Sequence, residues 1–283
     1  MSTQLPQRTQ RTPLTTSTLA LIVSSISILI PLTGHTQSHD PADPISLFGD
    51  RAEVTLGFGA AYIPRYLGAK HASLIPVPTI SVYRGIFFID TVRGAGVEYQ
   101  ASNGFYGSLA LGYDPGRAEK NSDWRPGSKR LQGMGEVKGA TTANLLLAQP
   151  LTSWLSLNGE AELRLAGHQR GNRYRLGLES PLLQTTISEI TFGANVHAGD
   201  GRFNRTYFGV NEAQAQTSRF SHFDAGSGVY AYSLSVDWHI DFDEHWTASL
   251  GGNVMRFSEK AHSSPVAERK TGVSGFTTLH YAF

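Results

Sequence analysis

The chain of 283 residues contains no cysteine. That excludes disulfides, a thiolate zinc site and a lipid-modified N-terminal cysteine. It also lacks a surplus of either charge: 24 Lys and Arg stand against 23 Asp and Glu, a formal net of +1. Such a balance provides no positive field of the kind that phosphate-backbone binding needs, so nucleic acid is excluded as a partner. Charged residues are scarce at 17%, while 40% of the chain is hydrophobic, which is too apolar for a disordered polypeptide. Cofactor and nucleophile motifs are missing as well. Gly133-Met-Gly135-Glu-Val-Lys-Gly139 departs by one residue from dinucleotide-binding spacing, and no Gly-x-Ser-x-Gly elbow occurs. Neither a cofactor nor a catalytic residue is expected.

Only one long apolar run is present. It spans residues 14–32, follows Arg8 and Arg11, carries no charge and is diluted by Ser and Thr before Pro31. The run approaches the ~20 residues that cross a bilayer as a helix. A polar stretch without a basic anchor follows it, so it reads as a cleaved signal peptide. No Ala-x-Ala site marks the cleavage, which is placed between Gly34 and Ser38. The expected organisation is a signal peptide over 1–37, a short periplasmic segment over 38–51, and one domain over 52–283.

In that domain the periodicity is two. Even positions from Ala52 to Tyr62 are apolar while odd positions are small or polar. Leu155 to Leu165 places Leu, Gly and Ala on one face and Ser, Asn, Glu and Arg on the other. Val229 to Asp241 sets Tyr230, Tyr232, Leu234, Val236, Trp238 and Ile240 against Ala231, Ser233, Ser235, Asp237 and His239. Runs of this length match the ~9 to 11 residues of a membrane-crossing strand and exceed the usual sandwich strand. Twelve strands are expected, near 52–62, 74–83, 86–92, 95–101, 104–113, 135–148, 153–165, 170–180, 187–198, 228–241, 245–257 and 270–283. Long connections fall only at odd-numbered junctions, and the even-numbered ones are six residues or fewer. That asymmetry describes an all-β, closed antiparallel transmembrane barrel with periplasmic turns and outer loops. Arg93-Gly94 also reads as the middle of one longer strand, so ten strands is the alternative.

Ten histidines invite a metal reading, but the densest group, His239 to His245, falls on an expected turn. Ser221, His222 and Asp224 are adjacent on extended chain and point to opposite faces, so they form no triad. Glu53, Glu98, Glu136, Lys138, Glu160, Glu162, Arg164, Arg173, Arg175, Glu189, Asp237 and Arg256 are expected in the lumen or at its rim. A charge facing lipid at mid-depth costs ~2 to 4 kcal/mol. The loop from Gly199 to Ser227 is too long and too aromatic to stay in water. Phe203, Tyr207, Phe208, Gly209, Phe220 and Phe223 are its candidate cap contacts. At the other end Leu279, Tyr281 and Phe283 share a face of the last strand and are candidates for a barrel-assembly signal.

The run GFGAAYIPRYLGA from Gly57, then Pro76-Val-Pro78, Phe87-Phe88-Ile-Asp90, Gly94-Ala-Gly96 and Leu111-Gly-Tyr113-Asp-Pro-Gly116-Arg117 resembles the MltA-interacting protein family, also called MipA/OmpV. Leu131-Gln-Gly133-Met-Gly135, Tyr207-Phe208-Gly209-Val210, Phe223-Asp224-Ala-Gly226, Ser264-Pro265-Val266 and Tyr281-Ala-Phe283 continue the likeness in order. The resemblance implies a non-enzymatic barrel in the outer membrane of a Gram-negative bacterium. It implies a scaffold that links a murein transglycosylase to a murein synthase, with porin-like channels or surface adhesins as the alternative. The implied partners are outer-membrane lipid and lipopolysaccharide, the barrel-assembly machinery during biogenesis, and those murein enzymes.

Overall fold

A computed structural model describes residues 47–166 and 170–283; the expected signal peptide, 1–37, lies outside the described residues. Twelve strands form one closed barrel: β1 (Glu53–Pro64), β2 (Ala72–Arg84), β3 (Phe87–Asp90), β4 (Gly94–Gln100), β5 (Tyr106–Asp114), β6 (Ala140–Thr152), β7 (Leu155–Arg164), β8 (Arg173–Gln184), β9 (Ser188–Gly199), β10 (Gly228–Asp241), β11 (Trp246–Phe257) and β12 (Thr271–Ala282). Each strand pairs antiparallel with its neighbours in sequence, and β12 closes on β1, with Leu56 opposite Tyr281 and Phe58 opposite Leu279. Closure satisfies the sheet edges that hydrocarbon could not solvate.

The alternation read from the sequence is the inside-outside alternation of the wall. Leu109, Leu111, Leu145, Leu147, Leu176, Leu178, Leu234, Val236, Leu250 and Val254 are exposed on the outer surface, and two aromatic sets bound this belt. Tyr62, Tyr113, Tyr174 and Tyr232 stand at the ends of strands that meet the long loops. Tyr99, Trp154, Trp238, Trp246 and Phe283 stand at the end that carries both termini and the short turns. Aromatic rings with a polar edge favour these two membrane boundaries, which sets the termini on the periplasmic side.

Several details depart from the sequence reading. Residues 91–93 form a tight turn between β3 and β4, so the strand count is twelve. β6 begins at Ala140 rather than 135, which leaves Glu136 and Lys138 in the outer loop, where Glu136 pairs with Arg125 at 2.8 Å. Arg256 faces outward near the outer rim because it shares the parity of Val254. Tyr230 turns inward although Tyr232 faces out. The pairing of β10 with β9 slips between Val229 and Ala231, and the bulge there puts Tyr230 and Ala231 on the same side. His239 is a buried inward residue of β10, 3.1 Å from Ser249 Oγ, while Phe242 to His245 form the turn.

Candidate functional site at the outer mouth

Inward positions of β7 and β8 carry a ladder of opposite charges. Arg175 meets Glu160 at 2.9 Å and Arg173 meets Glu162 at 2.6 Å. Arg164 reaches Glu162 at 2.7 Å and also pairs with Asp114 of β5. Register explains the first two contacts, because Glu160 lies opposite Arg175 and Glu162 opposite Arg173 on adjacent strands. In this dry interior each charge needs its partner: removing one would leave the other buried and uncompensated.

Above the ladder, the β9 to β10 connection folds into the mouth. α1 (Gly201–Phe208) starts at Asp200, whose carboxylate accepts from the Phe203 N–H at 2.8 Å and from the Asn172 N–H at 2.8 Å. Its amphipathic spacing sends Phe203, Tyr207 and Phe208 to one buried side, where they meet Tyr230, Met255 and Phe257. The ring of Phe203 lies 4.6 Å from Tyr207 and 5.4 Å from Tyr230. Gly209 ends the helix, and a side chain there would run into the Arg205 carbonyl, with a Cβ only 2.5 Å from its oxygen.

Tyr207 joins this apolar layer to the ladder. Its hydroxyl accepts from Arg170 at 2.7 Å and donates to Asp114 at 3.2 Å. Arg170 also pairs directly with Asp114 at 2.7 Å. Burial, reinforced by the Asp114 carboxylate, pushes the Tyr207 hydroxyl up to about 12, so it stays protonated. Arg117 donates to the Tyr207 carbonyl at 3.2 Å and lies over its ring, fully enclosed; burial draws its guanidinium below the ordinary arginine value.

A second apolar layer binds the loops to one another. Tyr66 and Ala69 of the β1 to β2 loop, Leu131 and Met134 of the β5 to β6 loop, Val210 and Phe220, and Val266 of the β11 to β12 loop form one buried cluster. Phe223 packs against both layers, and its backbone exchanges hydrogen bonds with Val210 at 2.8 and 2.9 Å. α2 (Glu212–Thr217) lies beside Met134, whose carbonyl accepts from Gln214 at 2.7 Å. The Ser264 hydroxyl, in the β11 to β12 loop, donates to the Phe208 carbonyl. Tyr66 donates to Glu268 at 2.8 Å. The Glu268 carboxyl sits below the usual glutamate range: partial burial opposes this, but the Lys70 N–H, the Tyr66 hydroxyl and Arg130 outweigh it.

All six candidate cap residues therefore lie in one layered assembly at the outer end. Leu279 and Phe283 are exposed on the outer face of β12 at the periplasmic end, and Tyr281 stacks beside His245 and meets Phe283 edge-on at 4.9 Å. The sequence reading missed Asp114, Arg117 and Arg170. Parity was the available signal for Asp114, which follows Tyr106, Ser108 and Ala110 on the inward face of β5. Arg117 and Arg170 lie in loops and carry no periodic signal. Buried inward residues occur along the whole height, from Ser81, His239 and His280 near the periplasmic end to Phe203 at the outer end. Among the described residues no group of three or more His, Asp or Glu is placed to hold a metal.

A closed antiparallel barrel with a lipid-facing belt, two aromatic girdles and long loops on one side defines an outer-membrane β-barrel of a Gram-negative bacterium. Within that class, the chain belongs to the MltA-interacting protein family, MipA, whose family model matches residues 56–283. No curated protein matches it. Solved structures resemble it at low identity. An outer membrane channel from Pseudomonas putida F1 is 12% identical with a TM-score of 0.42, covering 87% of this chain and 100% of its own. The NanC porin is 7% identical with a TM-score of 0.36, covering 82% and 99%.

Proposed function

We propose that the chain is a non-enzymatic, non-conducting anchor in the outer membrane that holds murein-modifying enzymes at its periplasmic face. The filled interior supports this reading best: paired charges occupy the outer half of the lumen, and two apolar layers lie across the mouth. A channel would need a continuous wet path, and side chains paired within the lumen speak against one. The name of the family, MltA-interacting protein, points to MltA as the partner. The periplasmic turns are short, and alone they offer little of the ~800 Å² per partner that a standard interface uses. The segment before β1 adds to them. Leu47 accepts from the Ile86 N–H at 3.1 Å, and Phe48 stacks on Phe87 at 5.5 Å, so the N-terminal segment is pinned along the β2 to β3 turn.

A second reading, a porin-like path, rests on the amide of Asn253, which faces the interior without a hydrogen-bond partner in the structure. Planar-bilayer recording paired with pull-down of murein enzymes from the same preparation separates the two. The anchor reading expects enzyme recovery and no stable conductance steps. Ohmic steps from the protein alone would overturn it in favour of the channel.

A further inference from the structure

The barrel wall is not equally tall all round. β2 runs for 13 residues and β5 for 9, but β3 and β4 between them run for 4 and 7. β2 pairs with β3 only from Ser81 to Arg84, and β5 pairs with β4 only as far as Leu111. Above the β3 to β4 turn, residues 72–79 of β2 are therefore paired on one side alone, to β1. That is about 25 Å of strand at 3.3 Å per residue. This free length belongs to the outer half of the strand, hence to the outer-leaflet side of the hydrocarbon.

Three features make the gap a built opening. First, its free edge is poor in donors. The Ile80 N–H and carbonyl both bond to Thr91, at 2.8 and 3.0 Å, so alternate residues of β2 turn their backbone toward the gap. Pro78 and Pro76 share that parity and have no N–H to leave unsatisfied in lipid, so only Leu74 and Ala72 keep a donor along this edge. Second, the sill is rigid. Asp90 accepts from the N–H groups of Val92 and Arg93 at 2.6 and 2.8 Å, and Arg93 donates to Glu98, Tyr106 and Tyr83. Third, the interior behind it is apolar, unlike the charged β7 to β8 wall: Ala61, Ile63, Ile75 and Val77 form one cluster, with Val92 of the sill against it. The loop after β5 closes the top, where the Gly127 N–H bonds to the Arg65 carbonyl at 2.6 Å.

We propose that this opening is a lateral site for a single hydrocarbon chain of a membrane lipid, entering past Val92 and Phe276, which pack over Ile75 and Val77 and leave them 2% and 3% exposed, to lie against those two residues. An added β-strand, from a peptide or a second copy, needs donors at alternate positions of the edge, and Pro76 and Pro78 withhold two of the four. A polar ligand has nothing to pair with on Ala61, Ile75 and Val77. A flexible apolar chain asks for neither donors nor polar partners.

The absence of native cysteine makes single-cysteine labelling clean. Val77→Cys and Ile75→Cys report on the opening, and Ser233→Cys, equally buried on the far wall, is the reference. Each folded variant, checked by heat-modifiable gel migration, is reconstituted in phosphatidylcholine vesicles. It is then treated with pyrene maleimide, which partitions into the bilayer, or with a sulfonated maleimide, which stays in water. The site predicts pyrene labelling of both variants about tenfold faster than Ser233→Cys, with sulfonated labelling no faster than the reference. Phosphatidylcholine carrying a mid-chain diazirine should, in the unmodified protein, leave adducts on Ile75, Val77 or Val92. Adducts confined to outward residues, or pyrene rates equal to the reference, would overturn the proposal. Fast labelling by the sulfonated reagent would make the opening aqueous and overturn it too. Protection that appears only in a dimer fraction would assign the edge to a second copy instead.

Discussion

At the scale of single residues, Glu268 clasps two outer loops, and its chemistry makes the clasp sensitive to acid. Its carboxylate accepts from the Lys70 N–H at 3.1 Å and from Tyr66 at 2.8 Å, which holds its folded pKa below the ordinary glutamate value. A group depressed by folding stabilises fully above its unfolded pKa, about 4.3 for glutamate, and loses that contribution as pH falls through the folded value. Pepsin cleavage of the outer loops should therefore rise as pH drops below about 4 in the native chain. Glu268→Gln should be more susceptible at pH 5 and lose the acid step; an identical acid step in the variant would remove Glu268 as its origin. Tyr207 makes a different argument. Tyr207→Phe keeps the ring but leaves Arg170 and Asp114 without their shared hydroxyl. Losing a buried, charge-assisted hydrogen bond should cost about 1.5 to 3 kcal/mol, read as a lower temperature for the gel-mobility shift. An unshifted temperature would mean that the direct Arg170 to Asp114 pair suffices.

At the scale of elements, the strands were legible in the sequence and the loops were not. Period-two alternation followed from a barrel with lipid outside and polar side chains inside, so the parity of Leu155 to Leu165 or of Val273 to Leu279 could be read directly. Tyr230 escaped because a bulge changes parity without changing composition. Asp114, Arg117, Arg170 and Tyr207 meet only through chain separations of 37 to 93 residues, which no local pattern encodes. The aromatic content of the 199–227 loop did point to an ordered segment, and the same content sets the size of a test. Deleting residues 203–220 removes Phe203, Tyr207, Phe208, Val210 and Phe220 from two buried layers. Each large apolar side chain contributes about 1.5 to 3 kcal/mol by its burial. Strands β9 and β10 are untouched. The deletion should insert normally but unfold at lower temperature and expose the outer rim to protease. Unchanged protease sensitivity and unfolding temperature would mean that the segment is not a cap.

At the scale of the whole molecule, the C-terminus separates what stabilises the finished barrel from what guides its assembly. Phe283 is three-quarters exposed, and its N–H bonds to the Val54 carbonyl at 3.0 Å across the β12 to β1 seam. Its removal takes away one backbone hydrogen bond, worth about 1 kcal/mol, and a ring that buries little area. Refolded in detergent, the chain lacking Phe283 should therefore keep nearly the same unfolding temperature as the full chain. In cells the result should differ if the outward row of Leu279, Tyr281 and Phe283 is the assembly signal, because recognition of an unfolded chain does not depend on native burial. Outer-membrane yield of the truncated chain should then fall severalfold against an unchanged detergent stability. A yield that holds steady would remove Phe283 from assembly. A yield that falls together with the detergent stability would assign the residue to the seam and leave the signal to be sought elsewhere on β12.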